Sequence, residues 1–158
     1  MTSFLGEYEC KVDDKGRILI PAALKKQISS DAQEKFVINR GFEKHLTLYP
    51  MNEWNIISAT VNKLNLFEKK NRLFVRMFHN GATELEMDNA SRILLPKTLC
   101  KDVMIEKEVI LFAYSNRIEV WSKKEYENML KDESVDFASL AEEVMGSSTK
   151  SDSSNAVS

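Results

Sequence analysis

The sequence predicts an α+β fold, a β-rich, pseudo-symmetric double-repeat barrel with flanking helices. The main observation is an internal repeat, because the segment 9–21 reappears at 84–96. A second observation is that both copies show the same succession of strand, turn, strand, helix and two strands. The 158-residue chain is 43% hydrophobic and 29% charged, which is typical of a globular protein.

The duplication can be followed residue by residue. At a constant offset of 75, the identical pairs include Glu9/Glu84, Asp13/Asp88, Arg17/Arg92, Ile18/Ile93, Leu19/Leu94, Pro21/Pro96 and Leu24/Leu99. Further along, the offset falls to 72, where 46–49 corresponds to 118–121. The second copy therefore has a shorter internal loop. Neither copy is large enough to bury a core alone, so we expect their hairpins to interleave.

The first copy begins with a predicted strand over 6–12 and a turn over 13–16. Asp13 can accept backbone N–H bonds in that turn, and Gly16 can supply a positive φ. Pro21 suits the first position of a helix. The other elements of this copy are a strand over 17–20, a helix over 22–28 and strands over 36–39 and 45–49.

The second copy repeats this order over 82–87, 92–95, 97–103, 109–114 and 117–121. Helical spacing predicts an α-hairpin between the copies, over 51–64 and 67–78, and two further helices after the second copy, from 122 onward and over 136–145. We divide the chain into a first repeat with the α-hairpin (1–81), a second repeat with C-terminal helices (82–146) and a Ser-rich tail (147–158) that we expect to be disordered.

Composition excludes several classes of protein. No apolar run approaches the ~20 residues of a membrane span, and no secretory signal begins the sequence, so we expect a cytoplasmic protein. Cys10 and Cys100 form no zinc motif, and His45 and His79 have no Cys or His partner at ligand spacing. No phosphate-binding loop or nucleophile–histidine constellation is present. We therefore expect no metal, no cofactor and no enzymatic activity.

The charge distribution is uneven. Net charge is −2, and residues 125–143 carry −6. Residues 11–26 instead carry +3, from Lys11, Lys15, Arg17, Lys25 and Lys26 against Asp13 and Asp14. This local basic patch favours an anionic partner, although a solvated charged face would have the same pattern.

The repeated text Asp-x-x-x-Arg, followed by an apolar triplet and Pro, resembles the MraZ family over almost the whole chain except its last dozen residues. The text from Tyr49 to Trp54 is similar to the family as well. The resemblance implies AbrB-like swapped hairpins, a homo-oligomeric ring and binding to double-stranded DNA. It implies a sequence-specific transcriptional regulator, expected to repress, that acts on tandem promoter sites of the division and cell-wall gene cluster, including its own operon. Such a protein would be nucleoid-associated and would need no small-molecule substrate.

The family's signature fixes the candidate site residues. Arginine can pair bidentately with phosphate or with guanine O6 and N7, and a lysine on a turn suits a phosphate contact. The predicted DNA-contacting residues are Lys15, Arg17 and Arg92, and the predicted turn-bracing residues are Asp13, Gly16 and Asp88.

The second copy departs from the signature, because Ala90 replaces the lysine and Ser91 replaces the glycine. Serine tolerates positive φ less well than glycine, so we expect a turn of different shape with one fewer positive charge. The first copy is then expected to provide more of the DNA contact.

Other interpretations stay open at this point. Arg17 and Arg92 could form purely structural ion pairs with the two aspartates. The chain could be an AbrB-type antitoxin or transition-state regulator, although those usually carry one repeat. It could also be a protein-interaction ring whose basic patch serves an acidic partner.

Overall fold

The computed structural model describes residues 3–28 and 34–156, with side chains as far as residue 146. The order of strands and helices predicted for the two repeats is confirmed. The elements are β1 (Phe4–Lys11), β2 (Arg17–Leu19), α1 (Ala22–Lys25), β3 (Lys35–Arg40), β4 (Leu46–Pro50), α2 (Met51–Asn62), α3 (Lys69–His79), β5 (Thr83–Glu86), β6 (Arg92–Leu94), α4 (Lys97–Asp102), β7 (Glu108–Ser115), β8 (Arg117–Ser122), α5 (Lys123–Leu130) and α6 (Phe137–Ala156).

The main sheet is built jointly by the two repeats. It has six strands in the order β1-β7-β8-β4-β3-β5, and all its pairings are antiparallel. The first strand of each repeat pairs with the third strand of the other, and the two fourth strands meet at the centre. This order is the same when the two repeats are interchanged, so the sheet is pseudo-symmetric.

The predicted closed barrel is wrong. The six-stranded sheet is open, since β1 and β5 each have a single neighbouring strand, while β2 and β6 form a separate two-stranded ribbon. At the free edge of β1, the Gln27 amide accepts the N–H of Leu5 and donates to its carbonyl, both at 3.0 Å. This side chain takes the place of a further strand. The AbrB-like hairpin swap implied by the resemblance stays a prediction.

The hydrophobic core also draws on both repeats. Ile18 and Ile93 face each other across the ribbon with no exposed surface, and Leu24, Phe36 and Leu111 are likewise fully buried in the same cluster. Residues up to Tyr126 form one compact unit that contains both repeats, and Glu127 onward forms a second. Because strands and core are shared, neither repeat holds its apolar residues away from water alone.

The last helix differs from its expected length. The sequence predicts a helix over 136–145 and a disordered tail over 147–158, whereas α6 runs from Phe137 to Ala156. Extending an existing helix avoids the cost of nucleating a new one, so a serine-rich segment can continue it. Residues 157–158 lie outside the described residues. Among the helices that the structure describes, none combines the length and the apolar character required to cross a membrane.

A buried polar cluster lies where β4 meets β8. The His45 ring is 3% exposed and stacks on Trp121 with ring centroids 4.7 Å apart. Its Nε2 lies 3.5 Å from the Glu119 carboxylate, and its Nδ1 lies 3.6 Å from the exposed Glu43. Burial lowers the pKa of His45, and the neighbouring Arg117 adds to this, while the two glutamates act in the opposite direction. The folded protein therefore favours neutral His45.

We predict that replacing Ile18 with Ala destabilises the protein by about 2–5 kcal/mol, because it leaves a cavity where the ribbon meets the core. Leu19→Ala is the matched control, since Leu19 is 58% exposed on the other face of the same strand. Its effect should stay within about 0.5 kcal/mol. Urea unfolding followed by circular dichroism measures both; equal losses for the two variants would contradict this assignment of faces.

We predict that stability falls as pH is lowered from 7.5 to 5.5. The pKa of His45 is depressed in the folded state, so its contribution is present above the unfolded value near 6.5 and is lost as pH falls through the folded value. His45→Phe keeps a ring against Trp121 and should flatten the pH dependence of the urea midpoint. A wild-type slope in His45→Phe would contradict the prediction.

Candidate nucleic-acid interface

The β2–β6 ribbon presents two arginines on one exposed face. Arg17 pairs with Leu94 and Arg92 with Leu19, so these four residues lie on the face opposite the buried isoleucines. Leu19 and Leu94 are 58% and 55% exposed. The two arginines are diagonal neighbours, which places their Cα atoms roughly 7–8 Å apart. The face thus combines two cations with two apolar side chains.

The first turn is held together by one carboxylate. Asp13 Oδ1 accepts the backbone N–H of Lys15 at 2.9 Å and that of Arg17 at 2.8 Å. Its Oδ2 accepts Arg17 Nε at 2.8 Å. Gly16 has φ +86° and donates its N–H to the Asp13 carbonyl at 3.0 Å. The aspartate therefore shapes the backbone and orients the arginine at the same time.

The second turn makes the same bonds, so the expectation of a different shape is wrong. Asp88 Oδ1 accepts the N–H groups of Ala90 and Arg92, each at 2.9 Å, and Oδ2 accepts Arg92 Nε at 3.0 Å. Ser91 has φ +63° in the place of Gly16. The bonds to Asp88 stabilise this left-handed conformation although it costs a serine about 1–2 kcal/mol.

Both aspartates are charged at neutral pH. The pKa of Asp13 is lowered chiefly by its bond from the Arg17 backbone N–H, and that of Asp88 by the equivalent bond from Arg92. The ion pairs expected in the purely structural interpretation are present, and each uses arginine Nε. The arginine side chains remain 25% and 36% exposed. An Nε contact fixes the plane of the guanidinium and leaves its terminal N–H groups as additional donors.

Each turn is anchored by the opposite repeat. The Gly16 carbonyl accepts the N–H of Leu95 at 3.0 Å, and the Ser91 carbonyl accepts that of Ile20 at 2.8 Å. The first turn borders a cavity of about 440 Å³ whose lining includes Lys97 and Lys101 of α4.

At the second turn, Lys25 of α1 donates from Nζ to Ser91 Oγ at 2.8 Å. The sequence analysis did not single out Lys25, Lys97 or Lys101 as candidate site residues. Of these three, only Lys25 lies in the basic patch over 11–26 that pointed to an anionic partner.

The structure brings all the predicted site residues to the ribbon and its two turns. Lys15 is exposed on the first turn, Arg17 and Arg92 share the outer face, and Asp13, Gly16 and Asp88 form the turns. Within the described residues, no group of three or more His, Cys, Asp or Glu side chains is arranged to hold a metal ion.

We predict opposite effects for reciprocal changes in the two turns. A Cβ at Gly16 would meet only ordinary contacts, the nearest being Leu94 Cδ1 at 3.8 Å, so Gly16→Ala should cost about 1–2 kcal/mol from positive φ alone. Ser91→Gly relieves the same strain but adds freedom to the unfolded chain, for a net gain of about 0.5 kcal/mol. Urea unfolding measures both. Destabilisation by Ser91→Gly would show that φ is not the dominant factor.

Comparison with known proteins identifies the family. The model described as "MraZ protein, putative antitoxin-like" matches residues 3–77 and again 77–147. A Christiangramia forsetii protein is 50% identical over 147 residues, covering 92% of this chain and 95% of its own. A Flavobacterium psychrophilum protein is 46% identical over 92% and 94%, and a Cytophaga hutchinsonii protein is 37% identical over 95% and 99%. All three are named "Transcriptional regulator MraZ". With its duplicated Asp-x-x-x-Arg turns on one shared ribbon, the chain belongs to the MraZ family of transcriptional regulators.

Proposed function

We propose that this protein is a sequence-specific DNA-binding transcriptional regulator, and that the outer face of the β2–β6 ribbon and its two turns contact the DNA. The observation that carries the proposal is the pair of arginines on one exposed face, each oriented by an aspartate of its own turn. The names of the relatives support a role in transcription.

The dimensions of the ribbon suit double-stranded DNA. A two-stranded β-ribbon fits the major groove, which is about 12 Å wide. There a guanidinium can pair with guanine O6 and N7 or with a phosphate, and an exposed leucine can contact a thymine methyl group. Lys15 at the tip of the first turn is placed to contact a phosphate. Arg17 and Arg92 would then read bases or phosphates from the same ribbon.

Assembly would make this interface effective. A patch with few cations binds DNA weakly at physiological salt, because affinity scales with the number of phosphates neutralised. A homo-oligomeric ring presents several ribbons together, and tandem sites let them bind simultaneously. We therefore propose a ring acting as a repressor on repeated promoter sites of the division and cell-wall gene cluster, including its own operon. The protein would then be cytoplasmic and nucleoid-associated.

We predict that Arg17→Ala weakens binding to the duplex upstream of the chain's own gene by about 1–3 kcal/mol per contact, and by more on tandem sites. Arg17 lies on an exposed face, so the oligomer should be unchanged. Arg76→Ala removes the same charge from an exposed position on α3 and is the matched control. Electrophoretic mobility shift at several salt concentrations and native mass spectrometry measure the two properties.

Three outcomes would contradict the proposal or part of it. If Arg17→Ala binds the duplex as well as the wild type does, the ribbon is not part of the DNA interface. A native mass no larger than a dimer would exclude the ring and favour a transition-state regulator or antitoxin. Binding to an acidic protein without any salt-dependent binding to the duplex would favour a protein-interaction ring.

A further inference from the structure

A lysine of the first repeat lies at the turn of the second. Lys25 is on α1, and its Nζ donates to Ser91 Oγ at 2.8 Å. The two residues are 66 positions apart in the chain. They meet because Ile20, just before α1, donates its N–H to the Ser91 carbonyl. The pairing between the two repeats thus places α1 beside the opposite repeat's turn.

The repeat alignment shows that the two sites differ in the positions of their lysines. In the first turn the cation is Lys15, and the α4 position that aligns with Lys25 is Cys100, which lines the same cavity as Gly16. In the second turn the position of Lys15 is Ala90, and the facing helix carries Lys25. The first site thus has a lysine on the turn itself, together with Lys97 and Lys101 of α4 along its cavity, whereas the second turn has no lysine of its own and is contacted by Lys25 of the facing helix.

We propose that Lys25 is a phosphate-contacting residue of the second DNA site, which is then a composite of both repeats. The inference rests on the proposed DNA-binding function. It adds a cation to the site whose turn was expected to have one fewer positive charge. Residues 13–17 and 88–92 both have zero net charge, because Asn89 replaces Asp14 where Ala90 replaces the lysine. Lys25 adds a positive charge to the second turn.

Ser91 acts as a positioning residue for this lysine. An ammonium group has three donors, so one bond to Ser91 Oγ leaves two for a phosphate. Holding the flexible stem in place before binding reduces the side-chain entropy lost on contact. Glycine at the equivalent first-turn position has no hydroxyl. A serine kept at positive φ, where glycine would be less strained, is consistent with a role for its hydroxyl.

The test is the salt dependence of binding to the upstream duplex. Each phosphate contact makes the plot of log K against log salt concentration steeper by about 0.9. This corresponds to a roughly threefold loss of affinity between 50 and 200 mM salt. Lys25→Ala should lower the slope by about one per second site and weaken binding severalfold. Adding Ala90→Lys, the arrangement of the first turn, should restore both. Lys44→Ala, an exposed lysine of the β3–β4 turn, is the control and should change neither.

Ser91→Gly separates positioning from a general loss of structure. It should weaken binding and lower the slope in the wild-type background, although we expect it to stabilise the fold. In the Lys25→Ala background it should have no further effect on DNA binding. Thermal unfolding of each variant verifies that the fold is intact.

The outcomes distinguish this inference from the function it rests on. A Lys25→Ala variant with the wild-type slope, alongside Arg17→Ala that no longer binds, would overturn the composite site and leave the DNA-binding function in place. Failure of Ala90→Lys to restore binding would also overturn it. A wild-type protein without salt-dependent duplex binding would overturn the function and this inference together.

Discussion

The antiparallel pairing of β2 with β6 is the contact on which the rest of the structure depends. Ile18 opposite Ile93 closes the core from both repeats, and the same register turns Arg17 and Arg92 outward. The two requirements cannot be separated, because side chains alternate along a strand. A slip of one residue in either strand would bury the arginine of that strand and expose its isoleucine. Burial of the two isoleucines in the core is therefore sufficient to place both arginines on the outer face of the ribbon.

Two carboxylates extend this order from the ribbon to its ends. Asp13 and Asp88 each accept two backbone N–H groups and one arginine Nε. A charged acceptor makes these hydrogen bonds stronger than those between neutral groups. Since one carboxylate makes all of them in each turn, it orients the guanidinium relative to the turn backbone. The ion pair and the proposed DNA contact are therefore compatible uses of one side chain, since orientation before binding lowers its entropic cost.

Local features of the fold could be predicted from the sequence, whereas long-range pairings could not. Strands, turns and helices follow from periodicity and from residues such as Pro21 and Gly16, which act on their own neighbourhood. The open sheet depends on which edges meet, and the Gln27 amide on the edge of β1 has no sequence signature. The contact of Lys25 with Ser91 was not predicted for the same reason, since it exists only once the two repeats have paired. The shape of the second turn was misjudged because the bonds to Asp88 outweigh the preference of serine.

The pairing of strands between the two repeats also bears on how the repeats can diverge. In separate domains, the loss of a lysine from one turn could be offset only within that domain. Here each turn faces a helix of the other repeat, so a substitution in one repeat can be balanced by a substitution in the other. Lys15 faces Cys100 of the opposite repeat, and Lys25 lies beside the turn that has Ala90 in the position of Lys15, which is the arrangement that such balancing would produce. Under the proposed function, both ends of the ribbon keep their positive charge but present it from different backbone positions. The two ends of the ribbon are therefore not equivalent in charge placement, although the strand pairing that forms them is pseudo-symmetric.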